Sequence, residues 1–390
     1  MSCYVGIDIG AVSAKAVVIA PKSMAPSLTS QGFTTLPSKS PGDDQCVLAS
    51  AYRRTKGRPL QAARELLEQI LSAVGDANVK SVSLTGSGSK MAANHLGATV
   101  VNEFKALAAG LSVLGIEART VFEMGGETSK YLRLARNADG GYGIIDYSTN
   151  GDCAAGTGSF IDQQANRLKY AVEDIGPLVL GAQRSASIAG RCSVFAKSDM
   201  IHAQQKGYTP PEVLRGLCNA VARNFRTSVV RSHPVEGPVV FLGGVAANAA
   251  VVRAMGEAFG LEDGQLVIPE CFTHVAATGA ALTASQSKAG VDLSHIQKLR
   301  AASDSDHGTF PTAEPLNMEN VLRLQDRLEP YETTMGGEKI DAYMGIDIGS
   351  VSTNVVLLDE EANVIHDIYV RTQGRPIQVV TDALIEVQDR

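Results

Sequence analysis

Three glycine turns in this chain carry residue types that suit an anionic ligand. The first is Gly6-Ile7-Asp8-Ile9-Gly10-Ala11-Val12-Ser13-Ala14-Lys15, where an apolar run enters a turn and leaves as a second apolar run. At Gly10 the backbone N–H groups can approach phosphate oxygens. Ser13 and Lys15 add a hydroxyl and a cation, and Asp8 at the strand end could hold the first shell of a hydrated Mg2+. The segment reads as a hairpin and lacks GxxxxGK[ST], so it is not a P-loop. The second turn, Val121-Phe122-Glu123-Met124-Gly125-Gly126-Glu127-Thr128-Ser129-Lys130, again runs strand, glycines, strand. The third brings Val239-Val240-Phe241-Leu242 to Gly243-Gly244 and then into a helix near Asn248. Any one of these alone could be no more than a tight turn.

Two cysteines form the other chemical feature. Cys153 lies in Asn150-Gly151-Asp152-Cys153-Ala154-Ala155-Gly156-Thr157-Gly158-Ser159-Phe160, and Cys192 in Ala189-Gly190-Arg191-Cys192-Ser193-Val194-Phe195-Ala196. Both precede predicted helices, over 158–168 and 199–206. A helix N-terminus favours a thiolate or an anionic cluster, and the adjacent glycines leave room for something bulky. Spacing alone reads as two structural thiols. Cys3, Cys46 and Cys271 lack that setting, and Cys218 adjoins the apolar face of a helix, which makes it a core thiol. The seven histidines show no HExxH or paired spacing and read as surface or core residues.

These residues need a scaffold of alternating strands and helices. Strands are predicted at 4–8, 16–20, 81–85, 120–124, 130–135 and 239–242, and helices at 60–74, 103–114, 158–168 and 210–231. The last helix has Thr209 as N-cap, Pro210 at its first position and Glu212 three after the cap, a capping box.

The chain also repeats its own beginning. VGIDIGAVSAK (Val5–Lys15) recurs as MGIDIGSVSTN (Met344–Asn354), and YRRTKGRP (Tyr52–Pro59) as YVRTQGRP (Tyr369–Pro376). The offsets are 339 and 317 residues, so the first copy has 22 more between its motifs. The Pro/Ser-rich stretch 21–44 accounts for them and is predicted to be a loop. The expected organisation is a complete two-lobed domain over 1–285, a connection over 286–340 with a short helix near 318–328, and the start of a second copy over 341–390. That last unit should expose an unpartnered sheet edge and be poorly stabilised.

At 390 residues the chain is long for one ordinary domain and short for three. A net charge of −6 argues against a nucleic-acid-binding face. With 44% hydrophobic and 19% charged residues, a real core forms. The opening MSCYVGIDIG does not read as a secretory leader, and no apolar run approaches the roughly 18 residues of a membrane span. Six cysteines with no export signal predict reduced thiols in the cytoplasm.

Two hairpin phosphate loops followed by a strand–Gly-Gly–helix resemble the layout of the superfamily of acetate kinases, sugar kinases, heat-shock chaperones and actin. The resemblance spans about 1–285. It implies an α/β fold in which two ribonuclease-H-like lobes clamp ATP in a cleft. The segments CAAGTGSF and GRCSVFAKSDM look like those of the ATP-dependent activators of 2-hydroxyacyl-CoA dehydratases and the related ATPase subunits of benzoyl-CoA reductases. A complete domain followed by a second copy resembles the larger CoA-activase-like members. By that resemblance, Cys153 and Cys192 would bind a [4Fe–4S] cluster shared across a homodimer, which supplies the four thiolates such a cluster needs. Asp8 and Glu123 would handle Mg2+ and water, and Gly10, Ser13, Lys15, Gly125, Gly126, Gly243, Gly244 and Asn248 would contact ATP. Ferredoxin or flavodoxin would be the electron donor and a dehydratase or reductase component the acceptor.

There are departures from the family pattern. Ala11 and Ala14 stand where hydroxyl residues are frequent, and the second loop has Glu123, Glu127 and Thr128 where the family often has Asp, Gln and Asp. In the second copy Asn354 replaces the counterpart of Lys15. Two other readings stay open. A small-molecule kinase would need a general-base Asp, and Asp146 and Asp152 lie in no recognisable sugar-binding pattern. A non-catalytic ATP-sensing domain is the other, and the altered second loop points to it.

Overall fold

A computed structural model describes residues 2–39, 42, 44–138, 140–151, 156–189, 193–287, 314, 317–323, 327 and 341–389. The first sheet contains β1 (Cys3–Ile9), β2 (Ser13–Pro21), β3 (Thr34–Leu36), β4 (Gln45–Ala49), β5 (Arg53–Arg54), β6 (Val79–Thr85) and β7 (Thr99–Val100), in the order β3-β4-β2-β1-β6-β7 with β5 on β2. The second contains β8 (Thr120–Met124), β9 (Ser129–Arg136), β10 (Tyr142–Thr149), β11 (Val239–Leu242) and β12 (Leu266–Val267), in the order β10-β9-β8-β11-β12. The orders β4-β2-β1-β6-β7 and β10-β9-β8-β11-β12 are the same, with a leading antiparallel hairpin and then parallel strands in both. The two lobes are thus one topology used twice.

β2 is apolar from Ala16 to Ala20 because both of its faces are covered there. Ala16, Val18 and Ala20 pack with Leu66, Leu67 and Ile70 of the helix Pro59–Val74. Val17 and Ile19 pack with Val113, Ala277 and Ala281 on the other side. Those last residues belong to two helices, Glu103–Leu114 and Val275–Gln286, which cross where small residues let their backbones touch. A Cβ on Gly110 would lie 1.9 Å from Val275 O, and one on Gly279 would lie 1.8 Å from Ala106 O. A Cβ on Gly6 of β1 would likewise lie 2.1 Å from Ala277 O. The sequence VAATGAALTA makes this approach possible because it has almost no side-chain bulk.

The stretch 21–44 is not simply a loop. It holds the helix Ala25–Ser30 and the strand β3, anchored by the buried Leu28 and Phe33. Pro26 sits in the first turn of that helix, where a missing N–H is harmless. The expected helix over 210–231 is an α-helix only across Pro210–Asn224 and continues as a π-turn, Phe225–Val230. There Thr227 donates to Arg223 O at 3.0 Å, and such a local bond competes with the regular ladder. The capping box and the buried Cys218 are as expected. Around 318–328, the described residues include the 3-10 turn Met318–Asn320, and residues 324–326 and 328 lie outside the description.

The last unit is a three-stranded antiparallel sheet of β13 (Tyr343–Ile348), β14 (Ser352–Leu358) and β15 (Val364–Arg371), followed by the helix Pro376–Asp389. Its hairpin pairs Asp347 with Asn354, in the register that pairs Asp8 with Lys15. β13 is exposed at every residue. A hydrogen bond from Gln204 Nε2 to Gly374 O, 2.7 Å long, touches this unit to the second lobe.

Candidate functional site

The two leading hairpins place one acid opposite one lysine at the same point of each turn. Asp8 faces Lys15 across β1 and β2, and Glu123 faces Lys130 across β8 and β9. Lys15 Nζ lies 2.8 Å from Asp8 Oδ2 and 3.3 Å from Ser13 Oγ. Lys130 Nζ lies 2.8 Å from both Glu123 Oε2 and Glu103 Oε2, and donates to Thr128 Oγ1 at 2.9 Å. Each turn is closed by its glycine: Gly10 N–H donates to Ser13 O at 2.9 Å, and Gly125 N–H to Thr128 O at 2.8 Å. Among the described residues, the N–H groups of Ala11, Val12, Gly126 and Glu127 donate to no other group. Such runs of free amides at a turn make an anion nest.

The third turn meets the second. Gly243 has φ +89°, and a Cβ there would lie 2.4 Å from Met124 O and 2.9 Å from Glu123 Oε1. Only glycine fits this conformation and approach. Asp8, Gly10, Ser13, Lys15, Glu123, Gly125, Gly126, Gly243 and Gly244 therefore line one cleft. The cleft opens into a cavity of about 520 Å3 beside Asn248, Phe272 and His274, within the range of small-molecule sites. Asn248 Oδ1 caps the helix Ala249–Phe259, accepting from Ala250 N and Val251 N.

Burial raises the Glu123 carboxyl above its ordinary pKa; Lys130 opposes that shift, and Glu103 and Asp8 add to it. Burial would lower both lysines, but their carboxylates outweigh it and hold Lys15 and Lys130 above the usual lysine range. His274 is pushed down by burial. Its Nε2 is 2.8 Å from Ser50 O, which only an N–H can satisfy, and Nδ1 is 2.9 Å from Thr273 Oγ1. A neutral His274 thus ties the start of helix Val275–Gln286 to the first lobe.

The residues present fit Mg2+. Asp8 and Glu123 line the same cleft, one from each hairpin. Hard oxygen donors of this kind suit that ion.

The model of the BadF/BadG/BcrA/BcrD ATPase family matches residues 5–284. The chain belongs to this family. It is 30% identical over 283 residues to the 2-hydroxyisocaproyl-CoA dehydratase activator of Clostridioides difficile, covering 72% of this chain and 93% of the relative. It is 27% identical over 266 residues to the (R)-2-hydroxyglutaryl-CoA dehydratase activating ATPase of Acidaminococcus fermentans, covering 67% and 90%. The solved structure of the activator of the 2-hydroxyisocaproyl-CoA dehydratase from Clostridium difficile, with bound ADPNP, superposes with a TM-score of 0.57 at 25% identity, over 77% of this chain and 96% of that one. The α/β fold is that of the actin- and sugar-kinase-like ATPases.

Every nucleotide-binding residue expected from the sequence lies along this cleft. Cys153 and Cys192, together with Asp152, lie outside the described residues. Asp146 does not line the cleft; its Oδ2 is 2.7 Å from His233 Nδ1 on the flank of the second lobe. Sequence reasoning gave no role to Lys130, Glu103 and Arg54, and read His274 as a surface or core residue. Lys130 had a signal, since it follows Glu123 by the same seven residues that separate Lys15 from Asp8. Among the described residues no helix is long and apolar enough to cross a membrane.

Proposed function

We propose that the chain is an ATP-hydrolysing iron–sulfur activator that passes a low-potential electron to an acyl-CoA dehydratase or reductase component. The observation that carries this reading is the pair of buried acid–lysine hairpins facing each other in the cleft of an activator-type ATPase. The free amides of both turns would cradle the phosphates. Asp8 and Glu123 would hold Mg2+ and orient water, and Lys15 and Lys130 would fix one oxygen of each carboxylate. The cavity beside Asn248 would take the nucleoside.

Cys153 and Cys192 would hold a [4Fe–4S] cluster shared by two chains, and that cluster supplies one-electron transfer. The other cysteines do not compete: Cys3, Cys46, Cys218 and Cys271 are buried, with burial pushing the Cys3 thiol up to about 11 and Cys218 up to about 12, far from thiolates ready to bind metal. Ferredoxin or flavodoxin is the expected donor, in the cytoplasm. ATP can shift the redox equilibrium only by binding the electron-donating conformation more tightly. About 0.7 kcal/mol of such coupling moves a one-electron potential by roughly 30 mV. On the same reading, 1–285 is the complete ATPase domain, 286–340 the connection, and 341–390 the N-terminal fragment of a second ATPase domain.

Anaerobic purification with iron and sulfide reconstitution tests this. Absorbance near 400 nm and an EPR signal that changes with ADPNP are expected, and both should vanish in Cys153→Ala. A wild-type chain that takes up no iron would overturn the cluster assignment.

A further inference from the structure

The segment Tyr52–Pro59, repeated as Tyr369–Pro376, carries no assigned role in the cleft. Its turn is fastened to the first hairpin. Thr55 Oγ1 donates to Ala11 O at 2.6 Å, Thr55 N–H donates to Val12 O at 2.9 Å, and β5 pairs Arg54 with Ser13. From there Arg54 crosses the cleft to the second lobe. Its guanidinium lies 3.0 Å from Asp162 Oδ2 and 3.1 Å from Glu173 Oε1.

Asp162 sits on the helix Gly158–Arg167, whose first turn is fastened to the second hairpin. Gly158 N–H and Ser159 N–H donate to Gly125 O and Gly126 O, at 2.9 and 2.8 Å. The ring closes where the two hairpins touch, since a Cβ on Gly126 would lie 2.3 Å from Val12 Cγ2. The repeat shows which part of this is local. Thr372 N–H donates to Val351 O at 2.9 Å, as Thr55 N–H does to Val12 O, and Arg371 there is exposed. The turn therefore belongs to the hairpin, and Asp162 and Glu173 convert its arginine into a link between lobes.

We infer that Arg54 is a positioning residue that couples both phosphate turns to the helix Gly158–Arg167, which begins five residues after Cys153. This rests on the reading of the cleft as an ATP site. A change in the spacing of the hairpins then reaches that helix through the Arg54–Asp162 contact as well as through the glycine turns, and reaches the turn Val172–Asp174 beyond it through Glu173.

The test is site-resolved hydrogen exchange and ADPNP calorimetry on the full chain. In Arg54→Ala, amides across 158–174 should exchange about threefold to fivefold faster without nucleotide, the scale of an exposed ion-pair network. The ADPNP dissociation constant should rise by a similar factor. Asp162→Asn should reproduce both effects, the double variant should be no worse than either, and Arg54→Asp combined with Asp162→Arg should restore affinity. Unchanged exchange across 158–174 in Arg54→Ala, or fully additive single effects, would overturn the link. Wild-type protein that fails to bind ADPNP, while Arg54→Ala still loosens 158–174, would instead bring down the ATP reading and leave the link standing.

Discussion

Lys130→Met is expected to abolish ATP turnover and to destabilise the fold by about 3–5 kcal/mol at neutral pH, the scale of a broken buried ion pair. The Lys130 side chain is 6% exposed and sits 2.8 Å from two carboxylates, Glu123 and Glu103. Without the ammonium, Glu123 is left beside the half-buried Glu103 with no cation between them. Burial already raises the Glu123 pKa, with Lys130 opposing it, so the variant raises it further. The sign of the pH effect follows. A carboxyl whose folded pKa lies above its unfolded value of 4.5 holds its proton more tightly when folded. Stability is then full below the unfolded pKa and falls as pH rises through the folded one. Urea denaturation should place Lys130→Met nearer the wild type at pH 5 than at pH 8. Glu103→Gln, which keeps the Lys130–Glu123 pair, should lose far less. Equal losses at both pH values, or normal phosphate release, would show that Lys130 does not hold Glu123 in its working state.

The parts of this site that were legible in the sequence are those made by local backbone demands. Gly243 sits in a turn that needs glycine, Gly10 and Gly125 close the two hairpin turns through their N–H groups, and Thr209 and Glu212 mark a helix start within four residues of each other. What escaped depends on distance. Glu103 reaches Lys130 only because its helix packs beside the second hairpin, and Arg54 finds its acids 108 and 119 residues away. β10 was missed because Tyr142–Thr149 is half-exposed and shows no clean alternation. The short helix at Ala25–Ser30 was hidden by Pro/Ser composition, which outweighed the single buried Leu28.

Gly279→Ala is expected to be nearly as damaging as a large core substitution, although it adds one methyl group. Its Cβ would fall 1.8 Å from Ala106 O and 2.6 Å from Ala106 C, both backbone atoms that no rotamer change can move. Gly110 meets Val275 O and Gly6 meets Ala277 O in the same way, so the helix Val275–Gln286 is held against its neighbours at three glycine contacts. Relief requires the two helices to part, which empties the Ala106, Ala277 and Ala280 contacts along the crossing. A loss of about 3 kcal/mol or more follows from overpacking combined with backbone displacement. The comparison is Gly97→Ala, where φ is +62° and a Cβ meets nothing within 4 Å. Only conformational strain acts there, on the order of 1 kcal/mol. Parting the helices also carries His274 away from Ser50 O, so any Gly279→Ala protein that folds should bind ADPNP more weakly, whereas Gly97→Ala should bind normally. Thermal unfolding followed by calorimetry reads both effects. Equal melting temperatures for the two variants would mean that this crossing has room to open and does not set the spacing of the lobes.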